Sequence, residues 1–372
     1  MKDKLFFSGL NELRAFAALA VVFHHIELYK HRLKLSSLYD VSILNNIIGH
    51  LGKNGVFLFF VLSGFLITYL LLEEKVVKGN ISISKFYSRR ILRIWPLYFI
   101  ILILGFFILP WVYRLFPSFF YGQLYYNERI EQLVYGDNLL LHLFFLSNVA
   151  LQIFGAVAGV SQSWSVSVEE QFYLIWPWIV SFFSKILLPV LIGIILLMNL
   201  INYKIELFNS FPLLKAFLSS FNIDFMAMGG IIAILYRKNK DLVQRLITNR
   251  SVIVLIVLSL ILHLCCKISN VTLSLSFGLL ILLFIENNIK IKLFSELGKW
   301  SYGIYMYHPL VMYFSFSFVN KVGITSFIGS NLTLYFLIIG FTILISYLSY
   351  KYVELFFLKL KYKYAPITSG NI

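Results

Sequence analysis

The chain has 372 residues, of which 59% are hydrophobic and only 13% charged, against roughly a quarter charged in an ordinary soluble domain. Apolar stretches long enough to cross a bilayer recur from end to end, which excludes a water-soluble domain. The formal net charge of +15 sits mostly in the segments between those stretches, so it reports membrane topology, and nucleic acid is not an expected partner.

Hydropathy predicts spans near 10–29, 54–72, 94–113, 139–156, 166–184, 186–203, 221–236, 252–268, 271–287, 299–319 and 331–353. The first is not read as a cleaved leader, because it lacks a small-residue cleavage site and carries Arg14 inside the apolar run. Lys75, Lys78, Lys85, Arg89, Arg90 and Arg93 mark 75–93 as cytoplasmic, as Arg237, Lys238, Lys240, Arg245 and Arg250 mark 237–250, and Lys359, Lys361 and Lys363 mark the tail. Two cytoplasmic loops must be joined by an even number of crossings, yet five candidates lie between Arg93 and Arg237. The weakest is 139–156, which holds His142, Ser147, Asn148 and Gln152 and runs into "FGAVAGVSQS". It is expected to be re-entrant or to line a cavity, where irregular backbone is tolerated.

The expectation is therefore an all-α, polytopic integral-membrane helical bundle of about ten crossings plus that segment, with both termini cytoplasmic. Residues 1–372 read as a single domain without internal repeats. Lys30, Arg32, Lys34 and Lys53 run against this scheme, because their loop is assigned outside. Cys265 and Cys266 are adjacent within one span and read as packing residues.

In chain order, the first candidate residues are Arg14 and His25, about 16 Å apart along one helix at 1.5 Å per residue. An ionisable residue inside a membrane is a functional candidate because burying it is costly. The plainer alternative is that Arg14 reaches lipid headgroups and His25 bonds a neighbouring helix. His24 points about 100° away around the helix and reads as packing. In "GKNGVFLFFVLSGFLIT", Gly55, Ser63 and Gly64 are small residues that allow close helix approach. "KFYSRRILRIWPLYF" places Arg89, Arg90 and Arg93 on adjoining faces of one turn. Their guanidinium forks suit phosphate, although a stop-transfer anchor explains the same cluster. "SQSWSVSVEEQFYLIWP" sets Trp164, Glu169 and Glu170 at the start of a span, where the helix dipole favours acids. "GKWSYGIYMYHPLVMY" places Tyr302, Tyr305, Tyr307 and His308 inside another.

Taken in this order, the Arg-x10-His spacing, "GVFLFFVLSGFLI", "FYSRRILRIWPLYF", "WSVSVEEQFYLIWP" and "SYGIYMYHP" resemble the membrane-bound acyltransferase-3 family over nearly the whole chain. "YKYVELFF", with Glu354, resembles its closing segment but lacks the proline that often follows. Members of that family O-acylate surface polysaccharides, lipopolysaccharide and related glycans. Many also carry a C-terminal hydrolase-like domain, which these 372 residues are not expected to contain.

The resemblance implies an acyl-CoA donor, most simply acetyl-CoA, reached from the cytoplasm, and a carbohydrate acceptor presented from outside. Arg14, Arg89, Arg90 and Arg93 would then bind the donor's phosphates, and His25 would deprotonate the acceptor hydroxyl. Glu169 or Glu170 would orient His25 or hydrogen-bond the sugar, with Ser63, Trp164, Tyr305 and His308 as substrate contacts. No metal and no permanently bound cofactor is expected. Direct transfer is the first expectation, with an acyl-Ser63 or histidyl intermediate left open. A glycan transporter or flippase is the rival reading, because buried charges and broken helices serve transport equally well.

Overall fold

In hydrocarbon every unpaired backbone group is costly, so apolar segments close their own hydrogen bonds and become helices. The computed structural model describes residues 4–5, 7–120, 136–266, 269–323, 327–361 and 368–369; Lys363 of the basic tail lies outside them. The described chain is helical apart from connections and a two-residue parallel pairing of Lys4–Leu5 with Thr368–Ser369.

The helices are α1 (Leu10–Arg32), α2 (Ser42–Lys78), α3 (Ile83–Leu115), α4 (Asp137–Leu143), α5 (Ser147–Phe154), α6 (Ser163–Phe183), α7 (Leu187–Tyr203) and α8 (Pro212–Ser220). They continue with α9 (Ile223–Lys238), α10 (Lys240–Thr248), α11 (Arg250–Cys265), α12 (Asn270–Glu286), α13 (Lys292–Lys299), α14 (Ser301–Val322), α15 (Phe327–Ser349) and α16 (Leu355–Lys361).

Among the described residues, four stretches are both long and apolar enough to cross a membrane: Ser42–Lys78, Ile83–Leu115, Pro212–Lys238 and Gly329–Leu360. A fifth joins them if Lys240–Thr248 and Arg250–Cys265, bent by 74°, act as one span. The expected ten crossings are thus not resolved into ten such helices. Part of the reason is that α1, α6 and α14 have 23, 21 and 22 residues, enough length, but carry the polar residues of the site. Outward-facing side chains show what surrounds the bundle. Leu196 is 65% exposed, Leu255 64% and Phe336 77%, an apolar exterior that needs lipid to cover it. This is a membrane protein.

Side-chain contacts fix the relative directions of α2, α3, α6 and α9. Lys75, near the end of α2, donates to the Ser181 carbonyl and the Ser184 hydroxyl at the end of α6, at 2.8 and 2.7 Å. Arg237, near the end of α9, pairs with Glu73 of α2 at 2.6 Å. The ends of α2, α6 and α9 therefore gather at one basic end of the bundle. From there α3 runs antiparallel to α6: Tyr87 donates to the Leu174 carbonyl, and Trp95 to Glu170. Because α3 leaves the basic end and α6 returns to it, the chain between them makes no net crossing. Segment 139–156 is accordingly broken into α4 and α5, of seven and eight residues, about 12 Å each at most. Phe145 breaks the run with φ of 55°, and Gln171 of α6 holds the turn by donating to the Phe145 carbonyl and to Asn148.

One of the four misplaced charges, at the end of α1, has a structural reason. Lys30 is buried and paired with Glu27 at 2.6 Å, so it contributes little net charge to topology. Within the bundle, α2 packs on α9 through glycines. A Cβ on Gly64 would collide with the Met226 carbonyl, and one on Gly229 with the Val61 carbonyl. These two positions bring the backbones together and fix the middle of α2, which carries Ser63.

Candidate active site

The middle of the bundle holds a cavity of about 110 Å³ lined by Arg14 of α1, Ser63 of α2, Arg90 and Arg93 of α3, Glu169 and Tyr173 of α6, and Tyr305 of α14, among others. The helix periodicity explains the convergence. Ser165, Glu169 and Tyr173 stand four residues apart and share one face of α6, and Arg90 and Arg93 share a face of α3 in the same way.

Inside the cavity Glu169 is held from two sides. Tyr173 donates its hydroxyl hydrogen to one carboxylate oxygen at 2.7 Å, and Ser63 to the other at 3.3 Å. Arg90 lies over the rings of Phe86 and Tyr173, at 5.6 and 5.5 Å from their centroids. Arg14 reaches Asn11 one turn earlier. Three guanidinium groups facing one carboxylate leave the cavity electropositive, a setting for an anionic ligand. Glu354 lies buried within electrostatic reach of Arg93, which places the closing "YKYVELFF" segment next to this cluster. Glu170 is turned aside: one oxygen accepts from the Trp95 indole at 3.0 Å, and the other is buried without a hydrogen-bond partner among the described residues.

The three arginines of α3 separate here. Arg90 and Arg93 enter the cavity, whereas Arg89 points to α2 and pairs with the buried Glu74 at 3.1 Å. Glu74 also accepts the Ser82 backbone N–H, so Arg89 ties α2 to the start of α3 and does not line the cavity. Trp164 likewise packs edge-on against Phe60, with centroids 6.2 Å apart, and is not among the cavity residues.

Farther from the basic end, α1 and α14 bring His25 and His308 together. His25 Nδ1 and His308 Nε2 are 3.0 Å apart, with ring centroids 5.0 Å apart. The expected partnership of His25 with Glu169 or Glu170 is therefore replaced. Glu169 is engaged on the cavity wall and Glu170 with Trp95, and the imidazole within hydrogen-bond distance of His25 is that of His308, which does not line the cavity. Tyr305 connects the two places. It lines the cavity, its hydroxyl meets Ser165 at 2.7 Å, and its carbonyl accepts from His308 at 2.7 Å. His24 faces elsewhere: its Nδ1 sits 2.7 Å from the Ile48 carbonyl, and Gly52 makes room for its ring. Tyr173, Ser165 and Trp95 were not singled out from the sequence; the four-residue spacing around Glu169 is the signal that points to the first two.

Electropositive walls around one carboxylate, with an imidazole pair farther along the same helices, give a membrane-embedded site that suits an anionic ligand. Residues 7–351 match the family model described as an acyltransferase domain, and the chain belongs to that family. It is 29% identical over 196 residues to peptidoglycan O-acetyltransferase OatA of Listeria monocytogenes, a match covering 51% of this chain and 27% of that protein. It is 30% identical over 177 residues to a putative peptidoglycan O-acetyltransferase, YrhL, of Bacillus subtilis, covering 45% and 23%. To O-acetyltransferase OatA of Staphylococcus aureus it is 28% identical over 184 residues, covering 49% and 26%. The matched region thus spans about a quarter of the length of these curated relatives. No solved structure matches the chain.

Proposed function

We propose that this chain is a membrane O-acetyltransferase that moves an acetyl group from cytoplasmic acetyl-CoA to a hydroxyl of an extracytoplasmic glycan. The observation that carries the reading is the joint position of Arg14, Arg90, Arg93 and Glu169 in one cavity, with the His25–His308 pair farther along the helices that supply Arg14 and Tyr305. The arginines hold donor phosphate, and the flexible pantetheine arm carries the thioester from them toward His25. His25 takes the proton of the acceptor hydroxyl, and the oxygen attacks the thioester carbonyl. The C–S bond breaks, and the thiolate receives the proton back from His25 to leave as CoA. Transfer in this reading is direct, with Ser63 donating its hydroxyl to Glu169.

The acceptor is a surface glycan such as O-antigen, capsule or exopolysaccharide, and the relatives named for peptidoglycan add that polymer. The accompanying topology has ten crossings with both termini cytoplasmic in the plasma (inner) membrane, and the basic end of the bundle faces the cytoplasm. Mass spectrometry of surface glycans from cells with and without the gene tests the reading. A glycan that gains the mass of an acetyl group only when the gene is present supports it. Loss of most of the glycan from the surface, with the acetyl content per glycan unchanged, overturns it in favour of transport.

A further inference from the structure

The dipeptide His308–Pro309 sits inside α14, and its second residue changes what the first must do. A helical residue at 309 would donate its N–H to the carbonyl of residue 305, but proline has no N–H. The Tyr305 carbonyl is thereby released in the interior of a membrane bundle, where an unpaired backbone group is costly. His308 Nδ1 lies 2.7 Å from it. A carbonyl can only accept, so His308 Nδ1 carries the hydrogen and donates it. His308 is fully buried, a position where a doubly protonated ring would have to be desolvated with its charge. In the neutral ring Nε2 is then a bare lone pair, and the atom 3.0 Å from it is His25 Nδ1. Two bare nitrogens at that distance would repel, so His25 Nδ1 must hold a hydrogen and donate it. The chain Tyr305 C=O···H–Nδ1 His308 Nε2···H–Nδ1 His25 leaves His25 Nε2 unprotonated in its neutral state.

We propose that His308 is a positioning residue that locks His25 in the Nδ1–H tautomer, keeping Nε2 as the nitrogen that takes the acceptor's proton. When His25 accepts that proton, its Nδ1–H remains bonded to His308, and the cation formed is stabilised by a neutral acceptor that need not move. The catalytic role of Nε2 rests on the proposed transferase reading; the tautomer itself does not.

The test uses the full-length protein in lipid, labelled with 15N-histidine and read by solid-state NMR, with the His25 signals identified by their loss in His25→Ala. Wild type is expected to show His25 protonated at Nδ1, and so is His308→Gln, whose side-chain oxygen reaches as far as the replaced Nε2 and can accept from His25. His308→Leu is expected to shift His25 toward the Nε2–H form. Acetyl content of surface glycan, normalised to the amount of protein in the membrane, is measured for the same variants. His308→Leu and His308→Asn are expected to lose activity by roughly a hundredfold, the scale of general-base catalysis, with KM for acetyl-CoA unchanged, while His308→Gln retains most of it.

Asparagine reaches the Tyr305 carbonyl but falls short of His25. A role confined to bracing α14 would therefore rank asparagine above glutamine, and that ranking overturns the proposal. So does a wild-type His25 found in the Nε2–H form, or a tautomer that His308→Leu leaves unchanged. Full activity in His25→Ala with the tautomers as expected would instead sink the transferase role of His25 and leave the lock standing.

Discussion

His24 and His25 are adjacent in sequence, and one helical step separates a ring bonded to the Ile48 carbonyl from a ring bonded to His308. Substituting His25→Ala is expected to abolish acetylation of surface glycan with the protein still inserted. His24→Ala should keep the activity and lose only about 1 kcal/mol of stability, one neutral hydrogen bond, visible as a lower unfolding temperature in detergent. Equal loss of activity in the two variants would dissolve the distinction. The arginines divide in the same manner. Arg90→Gln and Arg93→Gln should each weaken acetyl-CoA binding by roughly 1.5–3 kcal/mol, the scale of a hydrogen bond to a charged group, with lysine restoring part of it because the fork geometry is lost. Arg89→Gln should leave donor affinity unchanged and lower stability instead, since it strands the buried Glu74 carboxylate. Calorimetric titration with acetyl-CoA checks the whole set, and an Arg89→Gln affinity loss equal to the others would put that residue back among the donor contacts.

Among the elements, α2 and α9 show where sequence reading succeeds and where it stops. The small residues of "FFVLSGFLI" predict close helix approach, and Gly64 makes it, with its missing Cβ replaced by the Met226 carbonyl. The partner helix could not be named in advance, because periodicity marks a face without saying what covers it. The same limit explains the rest of the site. Arg14, His25, Glu169 and His308 were legible as costly buried groups, but their pairing was not, since Glu169 meets Ser63 and Tyr173 through contacts spread over α2 and α6. Arg89, Arg90 and Arg93 look equivalent on a linear string, and only the position of Glu74 on the neighbouring helix separates them. Gly64→Val is expected to force α2 from α9, costing about 1–3 kcal/mol as an overpacked contact, and to lower activity by displacing Ser63. Gly79→Ala, at a helix end with open space around it but φ of 76°, should cost stability without altering activity. Thermal unfolding and glycan acetylation of both variants check this, and a Gly64→Val protein with wild-type stability would remove the close-contact argument.

At the level of the whole molecule, the proposed chemistry requires a donor from one side and an acceptor from the other, so sidedness has to hold across the entire bundle. The antiparallel register of α3 with α6, together with the shared basic end of α2, α6 and α9, makes 137–154 a segment without net crossing. It also makes the loop after α1 lie opposite the basic end, because α1 and α2 run antiparallel, with Gly52 against His24 and Gly55 against Ala17. Single cysteines in a background lacking Cys265 and Cys266 read this directly. Ser36 is exposed in that loop and Lys240 is exposed at the basic end, whereas Ser163 is fully buried and unsuitable. Ser36→Cys, and Ser161→Cys at the start of α6, should react with a membrane-impermeant thiol reagent applied to intact cells. Lys240→Cys should react only after permeabilisation. The reverse pattern at 36 and 240 would invert the molecule and deliver the arginine cavity to the wrong side for cytoplasmic acetyl-CoA. Labelling of 161 together with 240, and not with 36, would mean that α4 and α5 complete a crossing between α3 and α6. The cavity would then open toward the donor alone, and His25 would have to meet its acceptor by another path.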